Sequence, residues 1–261
     1  HIVSRRQRQM CIRDRYSVLK YDSLILIAAN SKLKIATNLK MPRILSLFNG
    51  TGSITRPFAA AGWEVQSVDI DSTHAPTVCT DILQWDYSNE PTPDVVFAGP
   101  DCTQYSIART RGKHPRNFAL ADSLVAKCWE IINHFSNKNP GGILWFIENP
   151  DSSLLWGRQI SDPFPHRVRL DYCQYGRFFR KRTKLATNTN YTPRPLCNPK
   201  TCHACIDGRH QKSAQQGPCK RDGVRVASAL DKCSLDELHA YPAELCEEIF
   251  QFCQTENWQL I

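Results

Sequence analysis

The feature that most constrains the fold of this chain is a repeated alternation of short apolar runs with helical patterns. Residues 118–135 carry apolar side chains at helical spacing. Four short apolar runs flank such segments, and each ends in glycine or polar residues: RILSLF (43–48), EVQSVDID (64–71), DVVFAG (94–99) and ILWFIENP (143–150). Strands that alternate with helices predict an α/β fold with a parallel, doubly wound sheet.

The ends of these runs predict where a ligand binds, because doubly wound sheets bind ligands beyond the carboxyl ends of their strands. The first end is FNGTGS (48–53), whose glycines let backbone N–H groups approach a ligand closely. Asp69 ends the second run and suits a ribose hydroxyl, and Asp81 with Ile82 forms a third polar corner. The first turn is not the GxGxxG of dinucleotide folds, which disfavours a nicotinamide oxidoreductase.

Two further strand ends carry reactive groups. Cys102 follows the third run in FAGPDCTQYS (97–106), and the basic stretch ARTRGKHPRN (108–117) comes next. A thiolate nucleophile needs such an electropositive place, although a buried thiol at a strand end is the simpler alternative. Glu148 ends the fourth run, and it is either a capping acid before Pro150 or a carboxyl that stays protonated to donate to a ring nitrogen. Together the two ends indicate a nucleophile and an acid in one cleft.

Taken in order from Ile44 to Leu185, these pieces resemble the DNA cytosine-C5 methyltransferases, and look most like their compact, phage-type members. FNGTGS resembles their first cofactor loop, VDID their acid-bearing second strand, and Asp81-Ile82 their third motif. AGPDC resembles the loop that holds the attacking cysteine, and IENP resembles their Glu-Asn-Val. DYCQYGRFFRKRT (171–183) resembles their later Tyr-Gly…Arg-x-Arg segment.

The chain departs from the family pattern at four points. Asp101 stands where the family has the proline before its cysteine, and Pro150 replaces the valine after Glu-Asn. The glutamine of the Pro-Gln-x-Arg segment is missing, so either Arg180 or Arg182 matches the family arginine. No C-terminal Gly-Asn motif is found.

The resemblance implies S-adenosylmethionine as cofactor, with Asp69 on the ribose and Asp81 near the adenine. It implies that Cys102 attacks C6 of a cytosine flipped out of double-stranded DNA, while Glu148 donates to N3 and holds the exocyclic amine. Arg180 and Arg182 complete the predicted catalytic set. The predicted cofactor contacts are Phe48, Asn49, Gly50, Thr51, Gly52, Ser53, Asp69, Ile70, Asp81, Ile82, Gly99 and Pro100.

Two other functions stay open at this point. A few relatives with these motifs methylate cytosine in RNA. A non-catalytic DNA-binding protein of the same fold is the other alternative, and Asp101 supports it because an acid beside a thiol opposes the thiolate.

The basic stretch after the catalytic motifs predicts a metal site. Cysteine and histidine recur there as Cys197-x4-Cys202-x2-Cys205-x4-His210, which favours a structural, tetrahedral zinc ion over free thiols. His203 and Cys219 are alternative ligands.

Composition indicates which partners and which compartment the sequence favours. The net charge of +8 favours a polyanion such as DNA, and no apolar run is long enough for a membrane span. Twelve cysteines without an apolar leader predict a reducing, intracellular compartment, of a bacterium or a phage-infected host, and we expect a monomer. The predicted organisation is a tail or non-native extension (1–40), a catalytic domain (41–185), a target-recognition and zinc region (186–230) and C-terminal helices (231–261).

Overall fold

The structure is a computed structural model that describes residues 41–109, 114–164, 166–214, 219–221, 224–226 and 233–255. The predicted tail, residues 1–40, lies outside the described residues. Residues Pro42–Ile261 form one compact unit by their contacts.

A seven-stranded sheet forms the centre of this unit. Its strands are β1 (Arg43–Leu47), β2 (Glu64–Asp69), β3 (Val78–Cys79), β4 (Val95–Ala98), β5 (Leu144–Pro150), β6 (His166–Asp171) and β7 (Arg182–Thr187). They lie in the order β3-β2-β1-β4-β5-β7-β6. The four predicted strands β1, β2, β4 and β5 are parallel, and the unpredicted β3 is parallel to β2, whereas β7 runs antiparallel to both of its neighbours. The sequence analysis did not predict β6 and β7.

In the described ranges the α-helices are α1 (Arg56–Ala60), α2 (Phe118–Lys138), α3 (Leu235–His239) and α4 (Ala243–Gln254). Two small antiparallel pairs are formed by β8 (Cys205–Ile206) with β9 (Arg209–His210) and by β10 (Cys219–Arg221) with β11 (Val224–Val226). The spacing of Ser234 and Glu237 in the sequence is typical of a capping box, and the box is present at the start of α3, with each side chain bonded to the other's backbone N–H. Within the described ranges, no helix has the length and apolarity required to cross a bilayer.

The central strands are buried on both faces, and their side chains alternate between two separate cores. Leu45, Val96 and Trp145 pack with α2 on one face. Ile44, Val95 and Phe146 pack with α1 and α4 on the other face. This alternation follows from the two-residue period of a strand, and it confirms the predicted doubly wound architecture.

The strand order also fixes the position of the crevice. After β1 the chain continues to β2 on one side, and after β4 it continues to β5 on the other side. The neighbouring carboxyl ends of β1 and β4 therefore form the switch point at which such sheets bind ligands. FNGTGS follows β1 there, and AGPDC follows β4.

Candidate active site and candidate metal centre

The glycine-rich loop after β1 turns sharply and ties two strand ends together. Phe48, Gly50 and Gly52 all have a positive φ, of 56°, 48° and 66°. The Gly50 N–H donates to Asp69 Oδ2 at 2.7 Å, and the Asp71 N–H donates to Asp69 Oδ1 at 2.9 Å. Phe48 holds a conformation that costs a non-glycine residue roughly 1–2 kcal/mol, which is a feature typical of functional loops.

A buried polar atom of this loop lacks a hydrogen-bond partner. Asn49 is 8% exposed, and its Oδ1 is buried and has no hydrogen-bond partner among the described residues. A buried carbonyl oxygen without a partner is costly, so a donor from a bound molecule would relieve it.

Three other predicted cofactor contacts lie at the ends of β1, β2 and β4. Ser53 and Gly99 lie at the switch point, where Ser53 Oγ accepts the Tyr241 N–H at 2.9 Å and the Gly99 N–H donates to the Leu47 carbonyl at 3.1 Å. Ile70 is 72% exposed after β2, so its side chain is free to cover a ligand on that side.

The third polar corner is more enclosed. Asp81 Oδ1 accepts the Leu83 N–H at 3.0 Å, and Ile82 is buried in the core shared with α2. Thr51 is half-buried, whereas Pro100 is buried and its carbonyl accepts a bond from Asn149. The Ile82 side chain therefore packs into the core and anchors the segment that carries Asp81.

The loop that carries Cys102 is held by its own side chains. Asp101 Oδ1 accepts the Thr103 N–H at 2.9 Å and the Thr103 hydroxyl at 2.6 Å, which turns the chain around Cys102. The Arg116 guanidinium donates to the carbonyls of Gln104 and Ser106, at 2.6 and 2.8 Å. Asp101, the main departure from the family pattern, thus shapes the loop.

The described arginines of the basic stretch 108–117 bond within the cysteine loop. Arg116 and Arg109 bond within the loop, Arg109 to the Gln104 side chain and the His114 carbonyl. Arg111 and Lys113 lie outside the described residues. The two described arginines stabilise the cysteine loop.

The electrostatic surroundings of Cys102 differ from the expected electropositive place. Burial raises the pKa of the Cys102 thiol, and the nearby Glu148 and Asp101 carboxylates raise it further. Among the described residues, the charge of Lys181 lowers this pKa. The net direction is upward, so the free protein holds Cys102 mainly as a neutral thiol at pH 7.

Glu148 and Asn149 form the acidic side of the crevice at the end of β5. Glu148 is 6% exposed, and its Oε2 accepts the Tyr241 hydroxyl at 3.3 Å. Its Oε1 is buried and has no hydrogen-bond partner within the described part of the chain. Asn149 is fully buried and its Nδ2 donates to the Pro100 carbonyl at 2.9 Å, which ties β5 to the cysteine loop.

The two predicted catalytic arginines have partners outside the cysteine loop, and their catalytic role stays a prediction. Arg182 makes a two-pronged ion pair with the fully buried Asp171, at 2.9 Å from Nε to Oδ1 and 2.7 Å from Nη2 to Oδ2. Arg180 is exposed, and its charge acts on His210 and Cys205. Lys181, between them, is the cation that acts on Cys102.

Sequence reasoning therefore missed two residues of the site, Lys181 and Tyr241. Lys181 comes directly before β7, between the two arginines that the sequence analysis named, and the motif pattern drew attention to those arginines instead. Tyr241 comes from the C-terminal segment, and no local signal marked it.

A second group of reactive side chains forms a candidate metal centre. The ligand atoms of Cys173, Cys197, Cys202 and His210 all lie within 4.8 Å of one another. His210 Nε2 is 3.5 Å from Cys197 Sγ and 3.9 Å from Cys202 Sγ. Zinc bonds of about 2.0–2.3 Å in a tetrahedron need ligand separations of roughly 3.3–3.8 Å, so this set fits zinc after a small contraction.

The cluster differs from the predicted ligand set in one member. Cys173, just after β6, takes the place that the sequence spacing assigned to Cys205. Cys205 lies beside Cys202 but outside the four-residue group, and His203 is exposed. The Cys219 side chain lies outside the described part of the chain. Spacing within 197–210 could not reveal Cys173, because only the fold brings β6 to this segment.

Comparisons with known proteins give limited information. No family model matches the sequence, and no curated protein matches it. Similar solved structures include the Entamoeba histolytica methyltransferase EhMeth (13% identity, TM-score 0.41, 61% of this chain and 56% of that chain) and Spodoptera frugiperda DNMT2 (12%, 0.36, 60% and 53%). Another is the glycopeptide N-methyltransferase MtfA with bound (S)-adenosyl-L-methionine (16%, 0.29, 53% and 54%). Each match spans about half the length of the solved chain, and at these TM-scores it identifies no activity.

Proposed function

We propose that this protein transfers a methyl group from S-adenosylmethionine to C5 of cytosine in DNA. The observation that carries the proposal is the pairing of Cys102, after β4, with the buried Glu148, at the end of the neighbouring β5. The β4 and β5 strands are parallel neighbours, and Asn149 Nδ2 donates to the Pro100 carbonyl at 2.9 Å, which supports placing Cys102 and Glu148 in one site. The motif resemblance from Ile44 to Leu185 supplies the reaction class.

The residues at the switch point fit S-adenosylmethionine, which supplies a methyl group on a positively charged sulfur. Asp69 is oriented by two backbone N–H groups for a ribose hydroxyl. The buried Asn49 Oδ1 offers an unused acceptor, and the exposed Ile70 offers apolar cover.

The proposed chemistry starts at the target base, flipped out of the duplex into the crevice. The Cys102 thiolate attacks ring C6 and forms a C–S bond, and the electron pair of the C5–C6 double bond makes C5 nucleophilic. In the complex with the base, Glu148 carries a proton and donates it to N3, which neutralises the negative charge that the attack would otherwise place on the ring. C5 takes the methyl group and the cofactor leaves as S-adenosylhomocysteine. A base then removes the C5 proton, the C5–C6 double bond re-forms as the C–S bond to Cys102 breaks, and the N3 proton returns to Glu148.

Lys181 has a role in this scheme because Cys102 lies near two carboxylates. Its ammonium is held in place by a bond from Nζ to the Leu238 carbonyl, at 3.2 Å. A fixed positive charge favours the thiolate, which is the attacking form. Lys181 thus offsets part of the opposition from Glu148 and Asp101.

Covalent trapping tests the proposal directly. Full-length protein is incubated with S-adenosylmethionine and DNA in which 5-fluorocytosine replaces cytosine, since the C5–F bond cannot be broken and the adduct persists. We expect a denaturation-resistant adduct on Cys102 with wild-type protein and none with the Cys102→Ser variant. Bisulfite sequencing of unmethylated DNA after exposure to the protein then gives the target sequence.

The same assay separates the alternatives. An adduct on 5-fluorocytosine RNA, with none on DNA, would assign the activity to RNA. DNA binding with no adduct and no methylcytosine would instead identify a non-catalytic DNA-binding protein.

We also propose that Cys173, Cys197, Cys202 and His210 bind one structural zinc ion. Three thiolates and one imidazole are a donor set that zinc prefers, and their mutual separations support it. Metal analysis of purified full-length protein tests this. About one equivalent of zinc is expected, and less than a tenth of an equivalent would refute the proposal.

A further inference from the structure

Tyr241 lies in the connection between α3 and α4, and several elements hold this connection over the crevice. Its backbone N–H donates to Ser53 Oγ at 2.9 Å, so it contacts the segment that follows the glycine-rich turn. The Arg177 guanidinium donates to the carbonyls of Ala240 and Tyr241, at 3.4 Å each. The Tyr241 ring meets the Phe97 ring edge to face, with centroids 5.1 Å apart. The backbone and ring are therefore both fixed.

The Tyr241 hydroxyl reaches the backbone at the end of β4. A Cβ atom added at Gly99 would collide with this hydroxyl oxygen. Glu148 Oε2 would lie 3.9 Å from the same Cβ. Glycine at position 99 thus makes room for a phenol that lies between the strand end and the acid.

The Tyr241 hydroxyl also makes the two carboxyl oxygens of Glu148 differ in their hydrogen bonding. Oε2 accepts the Tyr241 O–H at 3.3 Å, whereas the buried Oε1 has no partner among the residues that the structure describes. Burial and the neighbouring Glu148 hold the pKa of Tyr241 well above its usual value, so the phenol keeps its proton and stays a donor. An oxygen that accepts a hydrogen bond is the disfavoured oxygen for the acidic proton.

We propose that Tyr241 is a positioning residue for Glu148: it occupies Oε2 as an acceptor and leaves Oε1 to carry the proton that goes to N3 of the base. This inference rests on the proposed function. Tyr241 touches neither the base nor the transferred methyl group in this scheme, and it acts through Glu148.

A double-mutant cycle tests this dependence. Methyl transfer to unmethylated DNA is measured for the wild type, Tyr241→Phe, Glu148→Gln and the double variant. We expect Tyr241→Phe to lower kcat by about 10- to 100-fold, with binding of S-adenosylhomocysteine changed less than threefold. In the Glu148→Gln background, the Tyr241→Phe change is expected to have no further effect on kcat. Equal losses in both backgrounds would overturn the proposal, because they would show a structural contribution independent of Glu148.

Tyr191→Phe is the matched control. Tyr191 is also buried and donates its hydroxyl to a carboxylate, Glu248, at 2.8 Å, but neither residue belongs to the crevice. Its kcat is expected to stay within twofold of the wild type.

The contact itself can be tested without activity. Gly99→Ala is expected to lower Tm, and adding Tyr241→Phe is expected to restore part of that loss, because the colliding oxygen is removed. Absence of any restoration would count against the contact. A wild-type protein that forms neither adduct nor methylcytosine overturns the proposed function, and the role of Tyr241 with it. An active wild type with an unaffected Tyr241→Phe variant overturns the role of Tyr241 alone.

Discussion

Cysteine side chains occur in two different surroundings in this protein: at Cys102, and in the cluster of Cys173, Cys197, Cys202 and His210. Cys102 stands with one buried carboxylate, one exposed carboxylate and one lysine. In the cluster, three thiols converge on one imidazole, and their ligand atoms lie within 4.8 Å of one another. A single thiol whose charge is set by neighbouring side chains suits a reversible covalent bond. Several thiols at one point can together hold a metal ion.

The two regions are also joined. The Cys197 N–H donates to Asp171 Oδ2 at 2.9 Å, and Asp171 pairs with Arg182 at the start of β7. Lys181 precedes that arginine, and its charge acts on Cys102. We therefore expect some substitutions to affect only the Cys102 site or only the cluster, and others to affect both.

Loss of the Cys102 thiol is expected to have the largest effect. Cys102→Ser should lower methyl transfer by about 10⁴-fold or more, because a hydroxyl cannot supply the thiolate nucleophile. Its zinc content should equal that of the wild type. Transfer of tritiated methyl groups and metal analysis of the same sample measure both quantities. A serine variant that methylates DNA at the wild-type rate would remove Cys102 from the mechanism.

Loss of a cluster thiol is expected to act on stability. Cys173→Ser should retain less than a tenth of an equivalent of zinc and lose about 3 kcal/mol of stability, which lowers Tm by about 10 °C. Cys205→Ser is the matched control, since Cys205 lies beside the cluster but outside it. It should keep its zinc and its Tm within about 2 °C. The reverse pattern would favour the ligand set predicted from sequence spacing.

Substitution of Arg182, whose partner Asp171 links the two regions, is expected to have an intermediate effect on stability. Arg182→Ala leaves the fully buried Asp171 without its cation and should cost about 2 kcal/mol, measured by urea unfolding. A Lys184→Ala variant, which removes the partly exposed pair with Asp151, should cost less than about 1 kcal/mol.

The pH dependence of the Arg182 effect has a defined sign. Burial alone would raise the pKa of Asp171, but the Arg182 guanidinium and the Cys197 N–H hold it below its usual value. The stabilisation is therefore present above about pH 4 and is lost as the pH falls through the lowered pKa. Arg182→Ala should flatten this acid-side loss of stability, and an unchanged acid profile would exclude Arg182 as its source.

The smallest expected effect is on the reactivity of Cys102. In the protein without a bound base, Glu148→Gln should speed its alkylation by iodoacetamide about threefold or more at pH 7.5, because the substitution removes a charge that raises the thiol pKa. Lys181→Met should slow it by a similar factor, and Lys181→Arg should leave it nearly unchanged. Mass spectrometry of the peptide that contains Cys102 follows the rate. Equal rates in all variants would mean that these charges do not act on the thiol.

The sequence predicted the parts of the molecule that depend on local pattern. The parallel strands and α2 follow from apolar periodicity, and the α3 cap follows from Ser234 and Glu237. The roles of Cys102 and Glu148 stay predictions that the proposed experiments test. Their positions at neighbouring strand ends nevertheless follow from the parallel order of the sheet.

Contacts between distant segments could not be predicted from a single sequence. Gly99 looks like an ordinary loop glycine until Tyr241, far along the chain, is placed against it. Cys173 looks like a core thiol until β6 brings it to the cluster. No sequence pattern singled out β6 and β7, and the order there comes from the pairing of β7 with β5 and of β6 with β7.

The position of β7 between β5 and β6 determines what the outside of the sheet offers to other chains. The edge strands are β3, only two residues long, and β6, where the basic His166, Arg167 and Arg169 recur along the strand. A short edge and a charged edge both discourage pairing with a strand of another molecule. The apolar strands β1, β4 and β5, which would form such ladders most readily, are all interior. The topology that assembles the crevice thus also protects the protein from edge-to-edge aggregation.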